Sequence, residues 1–157
     1  MQNPVFREIA AEIQRFGETA RELADLQQFS VNLIAEKLSS YNWVGFYMLD
    51  PHEPGTLVLG PFRGAPTEHV RIPITEGICG AAVAQGETVV VDDVSSDPRY
   101  LACSLETRSE IVVPIEVNGK IVGEIDIDSH RQKAFGTEDR TFLELCAAIV
   151  GQFIAAR

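Results

Sequence analysis

The stretch from residue 110 to residue 128 limits the fold more than any other part of the chain. Two apolar, β-branched runs, 110–117 and 120–128, flank the dipeptide Asn118-Gly119. Asn-Gly between such runs favours a two-residue type I′ turn, whose twist suits a hairpin. These strands cannot be parallel, because a parallel connection needs a crossover of a dozen or more residues. A two-residue turn pairs Val117 with Lys120 and, counted down the strands, sets Glu110 level with Ile127. Glu110 is then expected to lie diagonal to both Asp126 and Asp128.

Helical periodicity brackets this sheet. Val5, Ile9 and Ile13 recur every fourth residue, with Phe6 and Phe16 alongside, which predicts a helix over 4–16. Thr19 and Glu22 have capping-box spacing and predict the start of a second helix. Its apolar stripe is Leu23, Leu26, Leu33, Ile34 and Leu38, and it ends near Ser39-Ser40. Strands are expected over 43–49, 56–59, 70–72 and 88–91, with a short helix over 77–85 closed by Gly86. Residues 92–108 are irregular, and such long loops in a compact domain are usually functional. Thr137 opens a last helix with Phe142, Leu145, Cys146, Ile149 and Phe153 on one face. The expected fold is one α+β domain over 1–157. It has a mostly antiparallel central sheet with the N- and C-terminal helices packed on one face.

Composition excludes several functions. The chain has 157 residues, 13 of them basic and 23 acidic, for a net charge of −10. So acidic a chain is ill suited to nucleic acid or an anionic membrane surface. No apolar run nears the ~20 residues of a membrane span, and Met1-Gln2-Asn3-Pro4 has no signal-like character. A cytoplasmic location is expected. The odd set Cys79, Cys103 and Cys146, with no CxxC pair, does not make a secreted disulfide framework.

Chemistry then rests on thiols and carboxylates. Cys79 sits in Gly77-Ile78-Cys79-Gly80 where a helix begins, and amides at a helix N-terminus favour a thiolate. It reads equally as a small core residue on a tight turn. Cys103 lies in the irregular segment between Arg99 and Arg108, as a reactive thiol or a buried anchor. Cys146 falls on an apolar helix stripe and reads as inert packing. Asp126 and Asp128 share one strand face while Ile125 and Ile127 take the other. With Glu110 they make three gathered carboxylates, which repel unless a cation, an ammonium or protons join them. His52, His69 and His130 lack metal-ligand spacing, and no phosphate loop or dinucleotide fingerprint occurs, so neither metal nor cofactor is expected.

Several motifs in one order carry a resemblance. They are Asn42-Trp43-Val44-Gly45-Phe46-Tyr47, Leu57-Val58-Leu59-Gly60-Pro61-Phe62, Val70-Arg71-Ile72-Pro73, Gly77-Ile78-Cys79-Gly80, Arg108-Ser109-Glu110-Ile111-Val112-Val113-Pro114 and Asp126-Ile127-Asp128-Ser129. From about residue 42 onward the chain resembles the free methionine-R-sulfoxide reductases, which are stand-alone GAF-domain enzymes. The resemblance implies Cys103 as the catalytic thiol and Cys79 as a second cysteine of the site. It implies Glu110, Asp126 and Asp128 as substrate-binding carboxylates and Trp43 and Tyr47 as an aromatic wall. Free methionine-R-sulfoxide is the implied substrate and a thioredoxin-like protein the implied reductant; pairing through helices implies a homodimer. Two positions depart from the family pattern. His69 stands where a resolving cysteine is usual, and Ser104 where an aspartate is usual. Resolution then passes to Cys79, with a Cys79–Cys103 disulfide, or to a small external thiol, or turnover is lost. The alternative is a non-catalytic GAF module that binds a small ligand or senses redox state.

Overall fold

The computed structural model describes residues 1–101 and 104–157. Its strands are β1 (Trp43–Leu49), β2 (Thr56–Arg63), β3 (Arg71–Pro73), β4 (Val89–Val91), β5 (Ser109–Val117) and β6 (Lys120–Ser129). They form one sheet in the order β3-β2-β1-β6-β5-β4, antiparallel at every pairing. The helices are α1 (Pro4–Thr19), α2 (Leu23–Lys37), α3 (Gly77–Gln85) and α4 (Thr137–Ala155).

Strand alternation decides what each face of the sheet meets. Val44, Phe46, Ile111, Val113, Ile115, Ile125 and Ile127 turn toward α1, α2 and α4. There they pack with Ile9, Ile13, Leu26, Ile34, Phe142 and Cys146 in the main core. Each such aliphatic side chain contributes roughly 1.5–3 kcal/mol on burial. The terminal helices therefore cover one face, as the periodicity predicted. The other face carries α3 and a smaller cluster around Trp43, Tyr47, Ile72, Ile78 and Val112.

Some boundaries differ from expectation for identifiable reasons. Helix α1 is capped by Asn3, whose side chain accepts from the amides of Val5 and Phe6, and it runs on to Thr19. Thr19 ends that helix instead of capping the next, and α2 starts after Glu22 without a side-chain cap. Strand β2 continues past Gly60-Pro61 to Arg63, because an irregularity in its pairing with β1 relieves Pro61 of donating to the ladder. Val5 and Leu145 are exposed, since the buried stripes run instead through Phe6, Ile9 and Ile13 and through Phe142, Leu143 and Cys146.

The central hairpin corrects the expected register. Asn118 and Gly119 have φ of 51° and 81°, the positive pair that a type I′ turn requires. Val117 pairs with Lys120 and Glu116 with Ile121, but Ile115 pairs with Gly123. Val122 is thus the extra residue of a β-bulge. Beyond it Glu110 lies opposite Asp128 and not Ile127. Directly opposed residues share a face, so the bulge sets Glu110 beside the aspartates.

Candidate active site

Three rows of side chains cross β1, β6 and β5 on the face that meets α3. The rows are Trp43, Asp128 and Glu110; Gly45, Asp126 and Val112; Tyr47, Glu124 and Pro114. Gly45 leaves a gap that Trp43 fills, for a Cβ at residue 45 would overlap the indole ring. The indole stacks on Phe62 at 5.5 Å and 18°, and its Nε1 donates to the carbonyl of Ala65 at 3.0 Å. Tyr47 lies beside it, ring centres 6.3 Å apart, and donates its hydroxyl to the carbonyl of His69 at 2.7 Å. Trp43 and Tyr47 thus lie side by side on this face, and Tyr47 reaches the cavity beside Cys79.

Cys79, third residue of α3, lies over the middle row, and its sulfur donates to Oδ2 of Asp126 at 3.4 Å. One polar atom from each of Cys79, Glu110 and Asp126 lies within 4.8 Å of the others, a spacing that fits one cationic group among them. Tyr47, His69, Ile78, Cys79, Glu110 and Asp126 help line a small cavity here. A roomier hollow lies elsewhere, between α4 and the β5–β6 hairpin, but no cysteine lines it.

Burial governs the electrostatics. Glu110, Glu124, Asp126 and Asp128 are all buried, and no Lys or Arg is buried among the described residues. Desolvation pushes the carboxyl pKa of Asp126 up, and that of Asp128 well up with the charge of Asp126 adding to it. Glu124 is also raised strongly by burial, with the Cys79 thiol pulling the other way. Oδ1 of Asp126, Oδ1 of Asp128 and both oxygens of Glu124 have no hydrogen-bond partner. A buried orphan acceptor costs about 1–3 kcal/mol. Protons, or a cation rich in donors, offset that cost. An ammonium carries three donors and one positive charge, which suits the set.

Of the two readings of Cys79, helix-end thiolate and small core residue, the surroundings favour the second. Desolvation first, then the charges of Asp126, Glu124 and Glu110, push its pKa well up. Carboxylates and burial outweigh the amides of a short helix. Cys146 is sealed in α4 against the sheet, its pKa pushed up to about 12 by burial, in keeping with inert packing. Cys103 lies outside the described residues. Arg99, near it in sequence, forks onto Asp97 at 3.0 and 2.7 Å. Sequence reasoning missed Glu124, although its parity with Asp126 and Asp128 puts it on their face.

The chain is similar to known proteins over most of its length. The GAF domain model matches residues 5–154. The free methionine-R-sulfoxide reductase of Escherichia coli is 41% identical over 139 residues, covering 88% of this chain and 81% of that protein. The free methionine-R-sulfoxide reductase of Saccharomyces cerevisiae is 44% identical over 112 residues, 71% of this chain and 62% of that protein. The X-ray structure of free methionine-R-sulfoxide reductase from Neisseria meningitidis in complex with its substrate superposes with a TM-score of 0.92 at 34% identity, covering 99% of this chain and 93% of that one. No helix among the described residues is long and apolar enough to cross a membrane. A GAF sheet that buries Cys79 against Glu110, Glu124 and Asp126, with Trp43 and Tyr47 on the same face, together with these likenesses, makes the chain a member of the free methionine-R-sulfoxide reductase family of GAF-domain proteins.

Proposed function

We propose that the chain reduces free methionine-R-sulfoxide to methionine by cysteine chemistry at the Cys79–Asp126 site. The observation that carries this is the buried carboxylate cage open to one cation beside a thiol and an aromatic wall. The free α-ammonium of the substrate pairs with Asp126, Asp128 and Glu110, and the thioether end lies against Trp43 and Tyr47. A peptide-bound methionine sulfoxide has no such ammonium and is excluded.

The Cys103 sulfur attacks the sulfoxide sulfur. A carboxyl of the cluster, kept neutral by burial and neighbouring charge, protonates the oxygen. The net step converts thiol and sulfoxide into Cys103 sulfenic acid and methionine. Cys79 then attacks the sulfenic sulfur, its thiol proton leaving with the hydroxyl as water, and a Cys79–Cys103 disulfide forms. The two Cα atoms must come within about 7 Å for this bond. A thioredoxin-like dithiol reduces the disulfide and closes the cycle. The homodimer implied by the family resemblance is measured by sedimentation of the same preparation.

The test is methionine formed from each sulfoxide diastereomer with a thiol reductant. Cys103→Ser abolishes it with the fold intact, and Cys79→Ser keeps the first methionine release but slows thioredoxin-dependent recycling. Full activity of Cys103→Ser, or equal use of both diastereomers, refutes the assignment.

A further inference from the structure

The donors around Cys79 suit a metal ion as well as an ammonium. Cys79 comes from α3, Glu110 from β5 and Asp126 from β6. One donor atom of each lies within 4.8 Å of the other two. All three residues are buried, at 5%, 5% and 2% exposure. The Cys79 sulfur stands 3.4 Å from Oδ2 of Asp126. A tetrahedral zinc ion holds sulfur at about 2.3 Å and carboxylate oxygen at about 2.0–2.2 Å, which sets those two donors about 3.5 Å apart. One edge of a zinc tetrahedron is thus preformed.

A second observation points the same way. Oδ1 of Asp126 has no hydrogen-bond partner, and Asp126 lines the small cavity together with Cys79 and Glu110. The cavity volume is about 10 Å³, room for a body the size of one water molecule. A bare ion enters it as it stands, whereas an amino acid has to widen it. The sulfur decides between cations. A thiolate ligand selects borderline-soft metals such as zinc, while magnesium and calcium take oxygen donors. Three protein donors leave a fourth position to water.

We propose that Cys79, Glu110 and Asp126 form a zinc-binding site that shuts the protein off reversibly. The ion takes the sulfur as thiolate, the proton now hydrogen-bonded to Asp126 passes to solvent, and no electrons move. It joins α3 to β5 and β6 and holds the cavity closed. It also ties up the carboxylates that receive the substrate ammonium and the thiol that resolves Cys103. The shut-off rests on the functional reading above; the metal site does not.

Binding is tested on the full chain with Cys103→Ser, in which Cys146 stays sealed in α4. Cobalt(II) serves as the coloured stand-in for zinc. One equivalent is expected to give a thiolate-to-cobalt charge-transfer band and the intense visible bands of a four-coordinate site, and zinc is expected to erase them. Adding Cys79→Ser is expected to abolish the charge-transfer band. Asp126→Asn is expected to weaken zinc binding at least about tenfold in calorimetry; Glu110→Gln gives the same reading should that variant fail to fold. Zinc that binds the Cys79→Ser variant as tightly as its parent sits on surface acids and overturns the proposal, as does the absence of binding. The unaltered, fully reduced protein then reports the shut-off. Zinc is expected to suppress the first release of methionine from the sulfoxide, a chelator to restore it, and free methionine to weaken zinc binding. Undiminished release with zinc bound overturns the shut-off while the functional reading stands. A zinc site at Cys79 in a protein that neither binds methionine nor reduces its sulfoxide upholds the metal site, and overturns the functional reading and the shut-off with it.

Discussion

Tyr47 and His69 are tied by a 2.7 Å hydrogen bond from the phenol to the backbone carbonyl. That bond links the centre of β1 to the segment entering β3 and holds one side of the cavity in place. Tyr47→Phe removes the donor and keeps the ring. Stability is expected to fall by about 1 kcal/mol in denaturant titrations. The KM for free methionine sulfoxide is expected to rise several-fold with little change in kcat, because the wall loosens while the thiols stay.

Gly45 tests the aromatic wall from beneath. A methyl at this position meets the Trp43 ring on the sheet surface. Gly45→Ala is expected to destabilise the protein by about 1–3 kcal/mol, as overpacking does. It is also expected to shift the tryptophan fluorescence, which reports a single residue, Trp43. An unchanged spectrum and melting point would show that the indole has room to move.

Charge recognition is probed at Asp126 and Asp128. Removing one charge-assisted contact costs roughly 1.5–3 kcal/mol, so Asp126→Asn or Asp128→Asn is expected to weaken substrate binding tenfold or more. Calorimetry with free methionine measures this directly. N-acetylmethionine sulfoxide, which lacks the ammonium, is expected to be a poor substrate of the unaltered protein. Its reduction at the rate of the free amino acid would remove the basis of the cage.

The buried acids set the dependence of stability on pH. Glu124, Asp126 and Asp128 are raised in the folded protein from ordinary values of 4.5 for Glu and 3.8 for Asp. The folded state then holds protons that the unfolded chain has released. Their contribution is complete below the ordinary values and is lost as pH rises through the raised ones. Each such group costs on the order of 1 kcal/mol per pH unit crossed. Asp50, Asp93 and Asp97 are lowered by hydrogen bonds and act oppositely, losing their contribution as pH falls through their depressed values. Melting temperature is therefore expected to decline from mildly acidic pH toward neutrality and above. Glu124→Gln is expected to flatten the decline, and a flat profile in the unaltered protein would contradict the buried charge argument.

Much of the fold was legible because it rests on local rules. Asn118-Gly119 announced its turn, Gly86 its left-handed helix end, and the spacing of Ile9 and Ile13 the inner face of α1. The site was legible in its residue types, and Asp126 with Asp128 in their shared direction. What escaped depends on contacts between distant segments. Cys79 read equally as a helix-end thiolate and as a core residue, and only β5 and β6, which bring Glu110, Glu124 and Asp126 against it, decide for the buried thiol. Thr19 had the right spacing for a cap, but α1 continued through it. Glu124 was hidden by treating only the two aspartates as the polar edge of β6.

The bulge at Val122 separates having the right residues from having a pocket. Remove that one residue and the hairpin keeps its turn, its composition and its apolar pattern. Glu110 would then share a face with Ile125 and Ile127, pressed into the layer beneath α1 and α4. The carboxylate cage would lose a wall and the main core would gain a charge. Insertions and deletions within β6 thus have a parity, and a sheet of this kind gains or loses ligand recognition by a change in count with no change in chemistry.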